Sequence, residues 1–288
     1  MMKSGILIID KPLRISSHDC VRTVRHVFNT KKVGHSGTLD VEASGVLVLA
    51  INKATKLLNY LNQDDKMYRF RIVFGVSTDT LDHTGTISAK KAVPSNEKID
   101  QAIAQFPSDY AQKPPAYSAV KVQGKKLYEY ARKGEAIPDV PSRALTIKRF
   151  ARISPFVQKA DGTVEADFEV EATKGLYVRK LAEDLASMVN TVAHTSVIRR
   201  LKAGDFTIDQ AVPLERVHAA LPLISMNASL ASLPSVTITK KKRQYLENGR
   251  PLSLPLNAPI VKCLDESGRL LAIYEKDGNH YTAKNVLT

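Results

Sequence analysis

The stretch Gly34-His35-Ser36-Gly37-Thr38-Leu39-Asp40 puts one imidazole, hydroxyls and one carboxylate into a short glycine-punctuated segment. Glycine opens backbone geometries closed to other residues and lets a bulky partner come close. A carboxylate presented this way can act as a nucleophile or as a proton acceptor, needing no activation beyond ionisation. Taken in isolation, the pattern also describes a surface turn in which Asp40 caps the next element. Three other places hold groups that could serve such a carboxylate. Lys11-Pro12 ends an apolar run, Tyr68 follows Lys66 at the head of an alternating segment, and Lys174-Gly175-Leu176-Tyr177-Val178-Arg179 lies where a strand pattern turns into a helix pattern. On their own, Arg179 reads as a solvated helix residue and Tyr177 as half core.

The elements that must position these groups follow from spacing. Gly5 to Asp10 is a short apolar run stopped by Lys-Pro, which suits a buried strand and turn. Ser16 and Ser17 can cap a helix with Val21, Val24, Val27 and Phe28 on its apolar side. Lys31 to Gly45 reads as a polar loop hung between that helix and a strand Val46 to Ile51. Tyr68, Phe70, Ile72 and Phe74 alternate with Arg69, Arg71 and Val73, and Val164 to Ala172 alternates with Glu165, Asp167, Glu169 and Glu171. Both are amphipathic strands. Ser95 opens a helix bearing Ile99, Ala102, Ile103 and Phe106. Val120 to Val122, Gln123-Gly124 and Lys126 to Arg132 read as strand, tight turn and short helix, and a helix after Gly175 carries Leu181, Leu185 and Met188 on one side. Strands and helices mix without a strict βαβ repeat, which predicts an α+β fold. The texture changes near Ser235, and residues 236–288 hold short strand-like runs broken by Asn248-Gly249, Ser267-Gly268 and Asp277-Gly278. The expected domains are therefore 1–235 and a small β-rich module, 236–288.

Composition narrows the partner. The chain has 288 residues, 43% hydrophobic and 25% charged, as ordinary globular proteins do, and a net charge of +13 that points to a polyanion. Its longest apolar runs are far short of the roughly 20 residues that span a bilayer, and its N-terminus does not read as a secretory signal, so a cytoplasmic protein without membrane contact is expected. Cys20 and Cys263 belong to no CxxC pair or Cys/His cluster, so no metal site or disulfide framework is expected.

Together these segments resemble one family, the TruB-type tRNA pseudouridine synthases, which isomerise a uridine in the T loop of tRNA. The likeness runs through Gly5 to Ser17, Gly34 to Leu47, Lys66-Met67-Tyr68, Thr78-Asp79-Thr80-Leu81-Asp82, Gln112 to Lys121, Tyr128 to Gly134, Lys174 to Arg179, and Ala193-His194 leading to Arg199-Arg200. Two positions depart from the family pattern: Val41, where proline is usual, and Leu176, where threonine is usual.

The resemblance implies a pseudouridine synthase fold, with a mixed, mainly antiparallel central sheet flanked by helices, and a PUA-like RNA-binding module in the tail. It implies that Asp40 is the catalytic carboxylate at position 55 of tRNA, that Arg179 holds it, and that Tyr68 is the flat wall against which the detached uracil turns. By the same likeness Tyr177 lines the pocket and His35 helps fill the space left by the flipped base. Lys11 is assigned a structural or phosphate-side contact. Basic candidates for gripping the RNA are Lys121, Lys125, Lys126, Arg132, Lys133, Arg199, Arg200 and the run Lys240-Lys241-Lys242-Arg243. The reaction implied needs no cofactor and no metal, and its partner is the T arm of tRNA, with no obligate protein partner. The rivals are a catalytically silent RNA-binding protein on the same scaffold, against which the trio Asp40, Tyr68 and Arg179 argues, and a guide-RNA-dependent relative, which would be expected to bring further partner-binding segments.

Overall fold

The computed structural model describes residues 3–61 and 65–287. The elements that position the site begin with β1 (Gly5–Lys11), α1 (Ser17–Val27), β2 (Val33–Ser36), β3 (Ala43–Ile51) and β4 (Lys66–Phe74). There follow α2 (Asn96–Ala104), β5 (Asp109–Gln112), the two-residue strands β6 (Lys121–Val122) and β7 (Lys125–Lys126), α3 (Leu127–Arg132), β8 (Arg143–Arg152) and β9 (Val164–Ala172). After these come α4 (Val178–Met188), β10 (Ala193–Ala203), β11 (Val212–Pro213), β12 (Ser235–Thr237), α5 (Lys240–Glu247), β13 (Ile260–Leu264), β14 (Leu270–Asp277) and β15 (His280–Val286). Among the described residues no helix is long and apolar enough to cross a membrane.

The chain folds as two compact units, one made of Met1–Asp40, Leu47–Gln63 and Asp209–Thr288, the other of Val41–Val46 and Asp64–Ile208. In the first, β1 lies between β3 and the parallel strand β11, β2 runs antiparallel to β3, and the tail forms its own four-stranded sheet β12-β13-β14-β15. In the second, the start of β3 pairs in parallel with β10, and the order continues β4-β9-β8-β5, all antiparallel. The central sheet is thus mixed and mainly antiparallel, with helices and a C-terminal β-rich module, as the sequence predicts.

Two amphipathic strands form the centre of the second unit. β4 and β9 pair so that Phe70 faces Phe168, Tyr68 faces Val170 and Phe74 faces Val164. Their inner side chains are buried, and Phe70 stacks on Phe150 of β8 with ring centroids 6.2 Å apart. On the other face the same register sets Arg69 against Glu169, with Nη2 2.7 Å from the carboxylate, and Arg71 against Asp167, with Nε at 2.7 Å. α4 closes the core with Leu181, Ala182, Leu185 and Ala186, all fully buried.

Four features differ from the expectations. The glycine-punctuated loop is partly strand, since Val33–Ser36 pairs with Val48 to Ile51 of β3. Met188, at the end of α4, is 44% exposed and stands off the packed face. β8 and β10 are long strands that the sequence shows only faintly, because charged and apolar residues alternate imperfectly along them. The β-rich tail, read as short strand-like runs, also holds the helix α5. Its Asn248-Gly249 pair is not a turn between strands but a helix end: Gly249 has φ +66°, its N–H donates to Leu246 and that of Arg250 to Tyr245.

Candidate active site

In the first unit, the Asp40 loop is held from α1. Ser16 caps that helix in a reciprocal capping box with Asp19. The next residue, Ser17, is buried and turns its hydroxyl to the loop, donating to the carbonyl of Leu39 at 3.0 Å and accepting from the Leu39 N–H at 2.9 Å. One side chain therefore satisfies both backbone groups of the residue before Asp40. Leu39 itself is buried, while Thr38, Asp40 and Val41 are exposed, so the loop is pinned by its leucine and presents its carboxylate outward. His35 lies on β2 opposite Leu49 and is half-buried. Lys11, at the end of β1, is fully buried, its ammonium donating to the carbonyls of Pro12 at 2.9 Å and Ile15 at 2.7 Å. Its charge shapes the turn into α1 and faces no solvent.

The chain leaves Asp40 through Val41 and Glu42 into β3, whose first residues are fixed in the second unit. Gly45 faces Arg200 across the parallel pairing with β10. It has φ +104°, and a Cβ there would come within 2.2 Å of the Arg200 carbonyl oxygen, so only glycine fits. Arg200 is 1% exposed and donates from Nε to the Val46 carbonyl at 2.7 Å, while Arg199 reaches Ser44 Oγ at 3.3 Å. Arg200, an expected RNA contact, lies inside and holds the start of β3.

Arg179, in the first turn of α4, is also buried. Nη1 donates to the Thr80 carbonyl at 2.8 Å, Nη2 to the Tyr117 carbonyl at 3.0 Å, and Asp82 lies 3.7 Å away. Asp82 accepts hydrogen bonds from the Thr80 and Thr84 hydroxyls. Burial alone would raise its pKa, but the bonds from Thr84 and Thr80 and the charge of Arg179 outweigh that and hold the carboxyl below its ordinary value. The Thr78 to Asp82 motif, matched by sequence without a role, is thus part of the cradle of Arg179. Its signal was the two threonines flanking an aspartate at the end of a strand, a pattern of local hydrogen bonding.

Tyr177 caps α4, and its backbone is gripped by Gln112 of β5. The Gln112 amide accepts from the Tyr177 N–H at 2.8 Å and donates to its carbonyl at 3.0 Å. Two residues back on the same strand face, the Tyr110 hydroxyl donates to Asp184, about two turns along α4 from Tyr177. Burial, reinforced by that carboxylate, pushes the Tyr110 hydroxyl up, so it stays a donor. Neither residue was singled out for a role by the sequence. Tyr68 sits mid-sheet on β4, between Val170 and Arg200, and is 9% exposed.

The basic candidates divide by place. Lys121 and Arg132 are exposed on the hairpin β6–β7 and helix α3, where cations interleave with rings: Arg132 lies 5.2 Å and Lys126 5.4 Å from the Tyr128 ring centre, and Lys125 4.8 Å from that of Tyr130. Lys133 is exposed just beyond α3. In the tail, Lys242 is exposed on α5 and Arg243 pairs with Glu247, while the side chains of Lys240 and Lys241 lie outside the described set.

Comparison with known proteins agrees with this architecture. The family model described as TruB family pseudouridylate synthase (N terminal domain) matches residues 25–178. A tRNA pseudouridine synthase B of Bacillus pumilus (strain SAFR-032) is 40% identical over 302 residues, covering 99% of this chain and 96% of that protein. One from Streptococcus thermophilus (strain CNRZ 1066) is 35% identical over 295 residues, covering 100% of both. Among solved structures, an H/ACA ribonucleoprotein bound to a substrate RNA containing 2′-deoxyuridine aligns with a TM-score of 0.73 at 19% identity, covering 99% of this chain and 85% of that one. An archaeal Nop10–Cbf5 complex aligns at 0.72 and 20% identity, covering 100% and 87%; at such identities the likeness speaks for the fold alone. The glycine-bracketed carboxylate loop, the cradled arginine and the mixed sheet therefore stand in an enzyme, an isomerase, and the chain belongs to the TruB family of pseudouridylate synthases.

Proposed function

We propose that this protein converts the T-loop uridine of tRNA, position 55, to pseudouridine. The bond from ribose C1′ to N1 breaks, the uracil turns, C1′ joins C5, the C5 proton leaves and N1 gains one, so only protons are exchanged. Asp40 is the carboxylate that works at the sugar, either on C1′ or on the C2′ proton, and the observation that carries this is its presentation: Ser17 locks Leu39 from both sides while Asp40 projects into solvent. Tyr68 provides the wall for the rotating base, with Tyr177 lining the pocket and His35 filling the stack it leaves. Arg179 supplies fixed positive charge, and its cradle of two carbonyls and Asp82 supports that role because it sets the guanidinium in one orientation.

The grip on RNA is assigned to Lys121 and Arg132 on the hairpin and α3, and to Lys241 and Lys242 on α5, with residues 1–235 as the catalytic domain and 236–288 as a PUA-like RNA-binding domain. Lys11, Arg199 and Arg200 act as positioning residues, since their described bonds go to the backbone and to Ser44. The test is release of tritium from tRNA labelled at uridine C5. Asp40→Asn should abolish release and leave tRNA affinity within a few-fold of the parent; substantial turnover by the purified variant would remove the assignment.

A further inference from the structure

The first unit holds a cavity of about 1730 Å³ at the other end of β3 from Asp40. Asp40 precedes the first residue of that nine-residue strand, and the cavity begins at Asn52, just past its last, so at roughly 3.3 Å per residue the two lie on the order of 25 Å apart. Its wall carries six permanent cations, Arg25, Lys31, Lys32, Lys53, Lys56 and Arg269, and no lining residue is acidic. None is Phe, Tyr or Trp, and His26 is the one ring in the lining, so it offers little surface on which successive bases could stack.

The wall is built, not merely basic. Asn52, with φ +55°, donates to the Lys3 carbonyl at 2.6 Å, accepts from the Thr30 hydroxyl at 2.6 Å, and gives its own N–H to the Lys32 carbonyl at 2.7 Å. Asn227 bridges to the Gly268 carbonyl at 3.0 Å, tying together the segments 225–227 and 267–270 that line the cavity. The guanidinium of Arg25 is fixed by one bond to Val33, leaving a buried Nε with no hydrogen-bond partner. Behind Asn227, Lys262 is 5% exposed, and the partner described for its ammonium is the Asn227 carbonyl at 3.4 Å. Burial pulls that ammonium below its ordinary pKa. Buried cations without a facing carboxylate favour an anion nearby.

We infer that this cleft is a second RNA site, one that takes the phosphate backbone of the helical part of tRNA beyond the T arm. The inference rests on the tRNA reading above. A cavity well beyond the 300 to 1,000 Å³ usual for small ligands, with cations spread along its wall and amide and hydroxyl side chains between them, suits a run of phosphates and 2′-hydroxyls. A lining without Phe, Tyr or Trp and with His26 as its one ring favours helical over single-stranded RNA.

The test compares full-length tRNA with an isolated T-arm stem-loop in a variant carrying Lys31→Gln, Lys53→Gln and Arg269→Gln, three exposed side chains outside the proposed catalytic machinery. For full-length tRNA the variant should bind more weakly, and the slope of log K against log salt should flatten by about 2 to 3, at about 0.9 for each phosphate no longer neutralised. Binding and tritium release on the stem-loop should match the parent, which keeps failure of this inference apart from failure of the proposed reaction. Restoring charge with Lys31→Arg and Lys53→Arg should recover most of the slope. An unchanged slope on full-length tRNA, or equal weakening on both RNAs, overturns the inference. So does loss of inorganic phosphate binding without any change for tRNA, which would make the cleft a small-anion site.

Discussion

Replacing Gln112 with leucine removes one side chain that holds both backbone groups of Tyr177, and the structure allows the cost to be worked out. The Tyr177 carbonyl keeps a partner, because it also accepts the helix bond from the Leu181 N–H at 3.0 Å. The Tyr177 N–H keeps none among the described bonds, and Gln112 itself is 2% exposed, so little water reaches its place. Losing the bond to the carbonyl should cost about 1 kcal/mol, and stranding the N–H about 1 to 3 more, for a total of about 2 to 4 kcal/mol. Urea unfolding followed by circular dichroism suits a chain with no tryptophan. The same variant should lower kcat more than it raises KM for tRNA, since the helix end that loosens carries Arg179 two residues on, and a displacement of about 1 Å can cost on the order of 100-fold. Gln112→Glu separates packing from hydrogen bonding. It retains the acceptor but sets a second carboxylate near the Tyr110–Asp184 pair. Such a carboxyl has a folded pKa raised above its unfolded value, so the variant's stability deficit should grow as pH rises from about 4 and shrink in acid. A leucine variant within about 0.5 kcal/mol of the parent, with unchanged kcat, would refute the reasoning.

Three further outcomes are expected. Ser17→Ala should cost about 1 to 3 kcal/mol through the two bonds to Leu39 and slow tritium release with tRNA affinity unchanged, as measured by filter binding. Gly45→Ala should fail to give soluble protein, or lose more than about 3 kcal/mol, because the added carbon meets the Arg200 backbone at a positive φ; a melting temperature near that of the parent would contradict the close approach. Asp82→Asn should destabilise at neutral pH and reduce turnover. Because the Asp82 carboxyl is held below its ordinary value, its contribution is present above the unfolded pKa near 4 and lost as pH falls through the folded one, so the gap between variant and parent should narrow below about pH 4.

Much of this was legible in the chain. β4, β9 and α1 follow from periodicity and a serine cap, and the glycine loop showed where a carboxylate could be offered. β8 and β10 were obscured because bulges at Ile147/Arg149, Thr195/Val197 and Arg200/Lys202 break their alternation, and β10 carries Arg200 inside. α5 was obscured because Asn-Gly is a turn signal with two structural outcomes, and four successive basic residues mask the buried Leu246 that docks the helix. The support of Arg179 was invisible for a different reason: two of its bonds go to carbonyl oxygens, and backbone acceptors leave no mark on residue type.

The arginine–acid face shared by β4 and β9 has a consequence for how the protein reaches this fold. Arg71 touches Asp167 directly opposite and Glu165 diagonally, at 3.6 Å. Acidic residues occupy every second position from Glu165 to Glu171, so sliding one strand by two residues still leaves each arginine facing a carboxylate. The ionic face therefore does not distinguish the native alignment from its neighbours. That discrimination falls on the buried side, where Phe70 against Phe168 is the one pairing of two large rings and every other partner on β9 is Val or Ala. A slip of two residues would set Phe168 against Tyr68 or Ile72 and leave Phe70 against Ala166 or Val170, so the alignment is fixed by how the buried side fits and not by the charges.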